Sequence, residues 1–128
     1  MVTLTNSGFS ASYKRYLRMT AQITESQYHE LVDQLLLSIE EVLDEYPVDI
    51  DTESAEGILT LTFENGSKMV LNKQEPLLQL WVATKFNGHH FNYEDGLWID
   101  ERGAGEFWSF LDAAMTVQAE QPVALGLS

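Results

Sequence analysis

The chain has 128 residues, 45% of them apolar, which is enough for one domain with a real core and no low-complexity tract. It has no cysteine, so disulfides, zinc–thiolate sites, cluster ligation by this chain and cysteine nucleophiles are excluded. Its net charge of −13 repels phosphate backbones and anionic membranes and favours cations or a basic protein surface.

Residues 1–18 carry Lys14, Arg15 and Arg18 without a continuous apolar stretch, which argues against a secretory signal. A transit-like leader, a tag, or an over-long start with Met19 as the natural first residue all fit, and 1–22 are set apart from a domain at 23–128. From Met19 onward four bases face 20 acids, a net charge of −16. No run of about 18 apolar residues occurs, so no membrane span is expected, and a cytoplasmic protein is the simplest reading.

Residues 24–46 predict a helix. Thr24 with Gln27 three positions on matches a capping box, and Pro47 ends the segment. Tyr28, Leu31, Leu35, Ile39, Val42, Leu43 and Tyr46 recur at helical spacing and form the expected apolar stripe. Glu30, Asp33, Glu40, Glu41 and Asp44 fall on the other side, with Glu45 at its margin; Val32 and Leu37 interrupt it. The period then changes to two: Val48 and Ile50 point one way, Asp49, Asp51 and Glu53 the other, as in a half-buried edge strand.

The segment ILTLTFENGSKMVLNK, 58–73, predicts a hairpin turning at Asn65-Gly66. A three-residue loop with a bulge at the glycine, pairing Phe63 with Met69 and Leu61 with Leu71, is expected because it keeps one face apolar. LLQLWVAT, 77–84, is the next strand, with Leu78, Leu80 and Val82 toward the core and Gln79, Trp81 and Ala83 away from it. Asn87-Gly88 turns into HHFNY, and Glu94-Asp95-Gly96 turns into LWID. Residues 104–119 predict a second helix with Phe107, Phe110, Leu111, Ala114 and Met115 on one face; Pro122 stops it, and the tail VALGLS is apolar enough to pack back. This order predicts an α+β two-layer sandwich, two helices on one face of an antiparallel sheet of about five or six strands.

The stretch IEEVLDEYPVDIDTE, 39–53, holds seven carboxylates and no base, and 25–56 hold eleven acids and no Lys or Arg. A charge run is by default a solvated face, yet ordinary faces mix signs because opposite pairs at i,i+4 stabilise a helix and like pairs destabilise it. Helix end and strand start are adjacent in sequence, so the two acidic rows can join. Carboxylates are hard oxygen ligands suited to Ca, Mg, Mn and iron, and an open row implies weak, multiple, partly hydrated sites. An EF-hand is excluded: counting from Asp49, position 6 is Ser54 and position 12 is Thr60. His29 and Asp33, at i,i+4, are a candidate chelating pair. His89 and His90 alternate to opposite faces, which favours structural roles. No Walker loop, G-x-G-x-x-G, G-x-S-x-G or H-E-x-x-H is present. Trp81, on the face away from the helices, is either covered by long neighbours or a protein-binding anchor ringed by Asn72, Gln74 and Gln79.

The acidic helix leading into an acidic edge strand, then LTFENGSKMVLNKQEPLLQLWVATKFNGHHF, LWID and FWSFLDAA, resembles bacterial frataxin over residues 24–120. The run N-K-Q-E-P-L-x-Q-L-W is its most specific part. The resemblance implies two helices against an antiparallel sheet. It also implies a cytoplasmic, non-enzymatic modulator of iron–sulfur cluster assembly that binds ferrous and ferric iron weakly and associates with the cysteine desulfurase and, through it, the scaffold. Carried over, the iron-binding ridge would be Glu40, Glu41, Asp44, Glu45, Asp49, Asp51 and Glu53, with His29 upstream, and the partner surface Asn72, Gln74, Gln79 and Trp81. The link Tyr46-Pro47-Val48 is shorter and less acidic than the family pattern implies. A monomer is expected without metal, and other divalent or trivalent ions are expected to substitute for iron. Two alternatives stay open: an adaptor whose acids bind only protein, and an iron oxidase or storage protein, although neither helix carries a Glu-x-x-His array.

Overall fold

The computed structural model describes residues 23–128; the expectations for 1–22 lie outside these. Helix α1 runs from Glu25 to Asp44. Its capping box forms as expected, with Thr24 Oγ1 accepting from the Gln27 amide at 3.1 Å and Gln27 Oε1 accepting from the Thr24 amide at 2.9 Å.

The buried side of α1 is Tyr28, Val32, Leu35, Leu36, Ile39 and Leu43. This corrects the expected stripe: Val32 is fully buried, whereas Leu31, Val42 and Tyr46 are half-buried at its margins. Positions 28, 32, 35, 36, 39 and 43 trace a broader helical face, wide enough to lie on a sheet. Leu37 does fall on the acidic side, at 46% exposure.

Six strands follow: β1 (Ile50–Ala55), β2 (Ile58–Phe63), β3 (Lys68–Gln74), β4 (Gln79–Ala83), β5 (Gly88–Glu94) and β6 (Leu97–Asp100). They form one antiparallel sheet in sequence order, so β1 and β6 are the edges. Every connection is local, and the alternation in each strand separates a helix-facing row from an outer row.

The β2–β3 register differs from expectation by two residues. Leu61 opposes Met69 and Leu59 opposes Leu71, while the Phe63 amide donates to Ser67 O at 2.9 Å. Gly66 at φ +85° and Asn65 Oδ1, which accepts from the Ser67 amide at 2.9 Å, close the reversal in three residues. A two-residue slip preserves the faces, which is why the apolar row survives it. The next turn also differs: Thr84 Oγ1 accepts from the amides of Phe86 and Asn87, and Gly88 already pairs with Ala83 in β5. Between β3 and β4 a short 3-10 turn spans Glu75–Leu77, so β4 starts two residues later than expected.

Helix α2 spans Phe107–Ala119, three residues shorter at its start than expected. Glu106 caps it, its carboxylate accepting from the amides of Trp108 and Ser109 at 2.7 and 3.2 Å. Both helices cover the face that carries Leu59, Leu61, Met69, Leu71, Leu80, Val82 and Phe91. Phe91 meets Phe107 edge-on at 5.4 Å. The tail packs back as expected, burying Val123 and Leu125, with Tyr46 Oη accepting from the Ala124 amide at 2.9 Å. No helix among the described residues is long and apolar enough to cross a membrane.

Candidate metal ridge and partner face

The ridge is built where α1 ends. Glu41, Asp44 and Glu45 are exposed on its last turn, with Glu40 half-buried beside them. The short link carries exposed Asp49 into edge strand β1, where Ile50 is buried and Asp51 and Glu53 are exposed. Alternation sends Asp51 and Glu53 to the outer face of the sheet. Among the described residues, none of these seven carboxylates takes part in an ion pair. Lys68, two strands away in the row of Asp51, instead gives its ammonium to Thr62 Oγ1 at 3.0 Å. These seven carboxylates thus follow one another along two consecutive elements, without an ion pair among the described residues. They do not form a cage: the one group of three ligand atoms within 4.8 Å of one another, among the described residues, lies elsewhere.

That group is Glu25, His29 and Glu75. It shares His29 with the expected His29–Asp33 pair. Lys73 sits between those two residues, its Nζ 2.7 Å from Asp33 Oδ1 and donating to His29 Nδ1 at 2.9 Å. An ammonium only donates, so Nδ1 accepts and the ring proton lies on Nε2, which faces Glu75 Oε2 at 3.4 Å. A neutral imidazole has one lone pair, so Lys73 and a metal compete for it. Gly57 makes room for this lysine: a Cβ there would lie 3.2 Å from Lys73 Cδ. Lys73→Met, which keeps the stem and removes the charge, is expected to tighten Co(II) binding at Glu25, His29 and Glu75 about fivefold, near ~1 kcal/mol. Broadening of the His29 ring signals measures it, and an unaltered titration would show that Lys73 does not compete.

The sequence reading missed Glu25, Glu75 and Lys73. Alternation in β3 was a usable signal, since it puts Lys73 on the helix side with Met69 and Leu71. The placing of Glu75 depends on the 3-10 turn and had no such signal.

The outer face of the sheet holds Asn72, Gln74, Gln79 and Trp81, as alternation requires. Asn72 and Gln74 are half-buried. Gln79 is not an available donor, however; it is 7% exposed and fully engaged. Its Nε2 donates to Asn92 Oδ1 and Glu101 Oε1, both at 3.1 Å, and its Oε1 accepts from the Trp81 indole at 2.8 Å. Gln79 thus positions Trp81, which is half-buried and stacked on His90 at 4.1 Å and 10°. His90 Nδ1 lies 3.0 Å from Glu101 Oε2. His90 and Glu101 were not foreseen as parts of this face; the pairing of Trp81 with His90 across β4 and β5 creates it. His89 points to the opposite side, 4.5 Å from the Phe110 ring and 3.9 Å from Asp100 Oδ2.

Two helices on one face of a six-stranded antiparallel meander, with acids along the first edge strand, define the class of fold. The chain belongs to the frataxin family: the family model described as a frataxin-like domain matches residues 21–121. It is similar to the iron-sulfur cluster assembly protein CyaY of Pseudoalteromonas atlantica, 64% identical over 101 residues, covering 79% of this chain and 94% of that one. The CyaY of Colwellia psychrerythraea is 50% identical over 103 residues, covering 80% and 97%. Among solved structures, frataxin from Psychromonas ingrahamii matches with a TM-score of 0.75 at 42% identity, over 82% of this chain and 100% of that one. Trimeric frataxin from the yeast Saccharomyces cerevisiae, in its ferrous complex, matches with a TM-score of 0.61 at 27% identity, over 77% and 88%.

Proposed function

We propose that this chain is an iron-binding modulator of iron–sulfur cluster assembly in the cytoplasm, not an enzyme. It takes up Fe2+ and Fe3+ weakly along the ridge of Glu40, Glu41, Asp44, Glu45, Asp49, Asp51 and Glu53. The same ridge docks on a basic patch of the cysteine desulfurase and through it reaches the scaffold protein, and the sheet face of Asn72, Gln74, Gln79 and Trp81 is a partner surface. Iron here is cargo, held by hard oxygen donors that leave part of its water shell in place.

The observation that carries this reading is the row of seven carboxylates without an ion pair among the described residues. Its one-sign field supports both uses. It concentrates cations locally, and it steers a basic protein surface in a salt-sensitive way. The relatives' shared name, iron-sulfur cluster assembly protein, supports the pathway.

Changing Asp44, Glu45, Asp49 and Asp51 together to amides is expected to weaken Fe2+ binding and desulfurase docking about tenfold each, ~1.4 kcal/mol. The fold should be unaltered or steadier by a few tenths of a kcal/mol per like pair removed. Paramagnetic broadening with Fe2+ under anaerobic conditions and docking at two salt concentrations measure the two effects. Unaltered iron broadening would remove the ridge from metal binding; docking lost while iron binding is absent in both forms would leave a protein adaptor.

A further inference from the structure

The outer sheet face contains a histidine arranged as metal-bound histidines are. His90 Nδ1 is 3.0 Å from Glu101 Oε2. A carboxylate only accepts, so Nδ1 carries the ring proton and the lone pair is on Nε2. Among the described residues Nε2 has no hydrogen-bond partner. Glu101 is itself fixed, since its other oxygen accepts from Gln79 Nε2 at 3.1 Å. The ring plane is fixed by Trp81, 10° from parallel at 4.1 Å, and the indole by Gln79 Oε1 at 2.8 Å. Four side chains thus form a closed circuit, Trp81–Gln79–Glu101–His90, that holds one imidazole in one tautomer. A carboxylate on the far nitrogen of a ligating histidine orients the ring and raises its basicity.

The contrast with His29 is chemical. There Nδ1 accepts from Lys73 and Nε2 bears the proton; here Nε2 bears the lone pair. The neighbours of His90 across the sheet are Trp81 on β4 and Glu101 just past β6, whose carboxylate is engaged on the Nδ1 side of the ring.

We propose that His90 is a ligand arm: through Nε2 it occupies an open coordination position on a transition-metal ion already held by a partner docked on this sheet face. The inference rests on the proposed docking of a metal-carrying assembly partner there. An imidazole nitrogen suits Fe2+, Zn2+ and Cu2+ and discriminates against Ca2+ and Mg2+. Glu101 and Gln79 are positioning residues; neither touches the ion.

A chelate with open positions imitates such an ion without the partner. Cu(II)–iminodiacetate, titrated into the full chain in mildly alkaline buffer, is expected to broaden the indole N–H signal of Trp81 before those of Trp98 and Trp108. His90→Ala should abolish that broadening. Glu101→Ala should weaken it about tenfold while the thermal melt shows a folded protein, a loss that a merely structural glutamate would not produce. Persistence of the Trp81 broadening in His90→Ala, equal affinity in Glu101→Ala, or a probe that is held only by His29 or His89 would each overturn the assignment. The ridge quadruple variant should bind the probe at His90 like the parent, so failure of the ridge reading and failure of the ligand arm give different results.

Discussion

Replacing Gln118 by Ala is expected to lower stability by about 3 kcal/mol, more than any surface change, although Gln118 is a polar residue far from the ridge. It is 2% exposed. Its Nε2 donates to Lys68 O at 2.8 Å and to Ser67 Oγ at 3.1 Å, and its Oε1 accepts from the Lys85 amide at 3.1 Å. Its own carbonyl accepts from Asn65 Nδ2 at 2.7 Å. One side chain at the end of α2 thus ties together the β2–β3 turn and the β4–β5 turn. Truncation leaves the Lys85 amide without that acceptor and Lys68 O without that donor, at about 1–3 kcal/mol for each buried group. For a domain of this size ~3 kcal/mol is a fall in Tm of roughly 10 °C. Gln118→Leu fills the volume but not the hydrogen bonds, so it should melt within a few degrees of Gln118→Ala. A Leu variant as stable as the parent would show that packing, not the polar network, holds this corner. Fe2+ broadening along the ridge, measured well below either Tm, should be the same in all three proteins.

Gln118 also shows where sequence reasoning stops. Strand existence, the capping box at Thr24, the stop at Pro47 and the acidic edge were legible because each is local: a period, a cap, a chain break. The two-layer sandwich followed from the order of those elements. The contacts of Gln118 join residues 33 to 53 positions apart, and no local pattern marks it as buried. Val32 was assigned to the acidic side of α1 for a related reason. A helix lying on a sheet buries a wider face than a seven-residue stripe drawn through Leu31 and Val42. The hairpin slip at Asn65-Gly66 was invisible to an argument from faces, because any even shift satisfies it.

The exposure of the carboxylates on α1 and β1 was legible for the opposite reason. Solvated carboxylates need no partner, so their placement follows from helix and strand periods alone. What could not be read was where bases and acids from different strands converge. Lys73 reaches back from β3 to Asp33 on α1 and takes that carboxylate out of the uncompensated set. The acidic field is therefore concentrated at the end of α1 and along β1, while the start of α1 carries a mixed cluster of Glu25, His29, Asp33, Lys73 and Glu75. On the proposed reading the acids of α1 and β1 would take several loosely held ions, whereas the cluster at the start of α1 would have to displace Lys73 to take one.

Alkaline titration should remove about 3 kcal/mol of stability through Tyr28 alone. Tyr28 is fully buried, and its Oη donates to Gln79 O at 2.7 Å. Burial pushes its pKa up from 10.0 to about 12; the backbone of Gln74 pulls it down, and the nearby Glu75 and Asp33 carboxylates add to the rise. A group whose pKa is higher folded than unfolded gives stability that is complete below the unfolded value, here pH 10, and is lost as pH climbs through the folded value near 12. Two pH units correspond to ~3 kcal/mol. Tyr28→Phe removes both the donor to Gln79 O and the ionisation. It should be less stable than the parent by about 1–2 kcal/mol at neutral pH. It should then lose less as pH rises, so that the two urea-unfolding curves cross between pH 10 and 12. Parallel curves from pH 9 to 12 would show that Tyr28 does not titrate with this linkage. The same bond has a functional reading, since Gln79 joins α1 through its carbonyl and holds Trp81 through its side chain. The Trp81 indole N–H signal should therefore move in Tyr28→Phe while the ridge amides of β1 stay in place, because the strand that Tyr28 anchors is β4 and not the acidic edge.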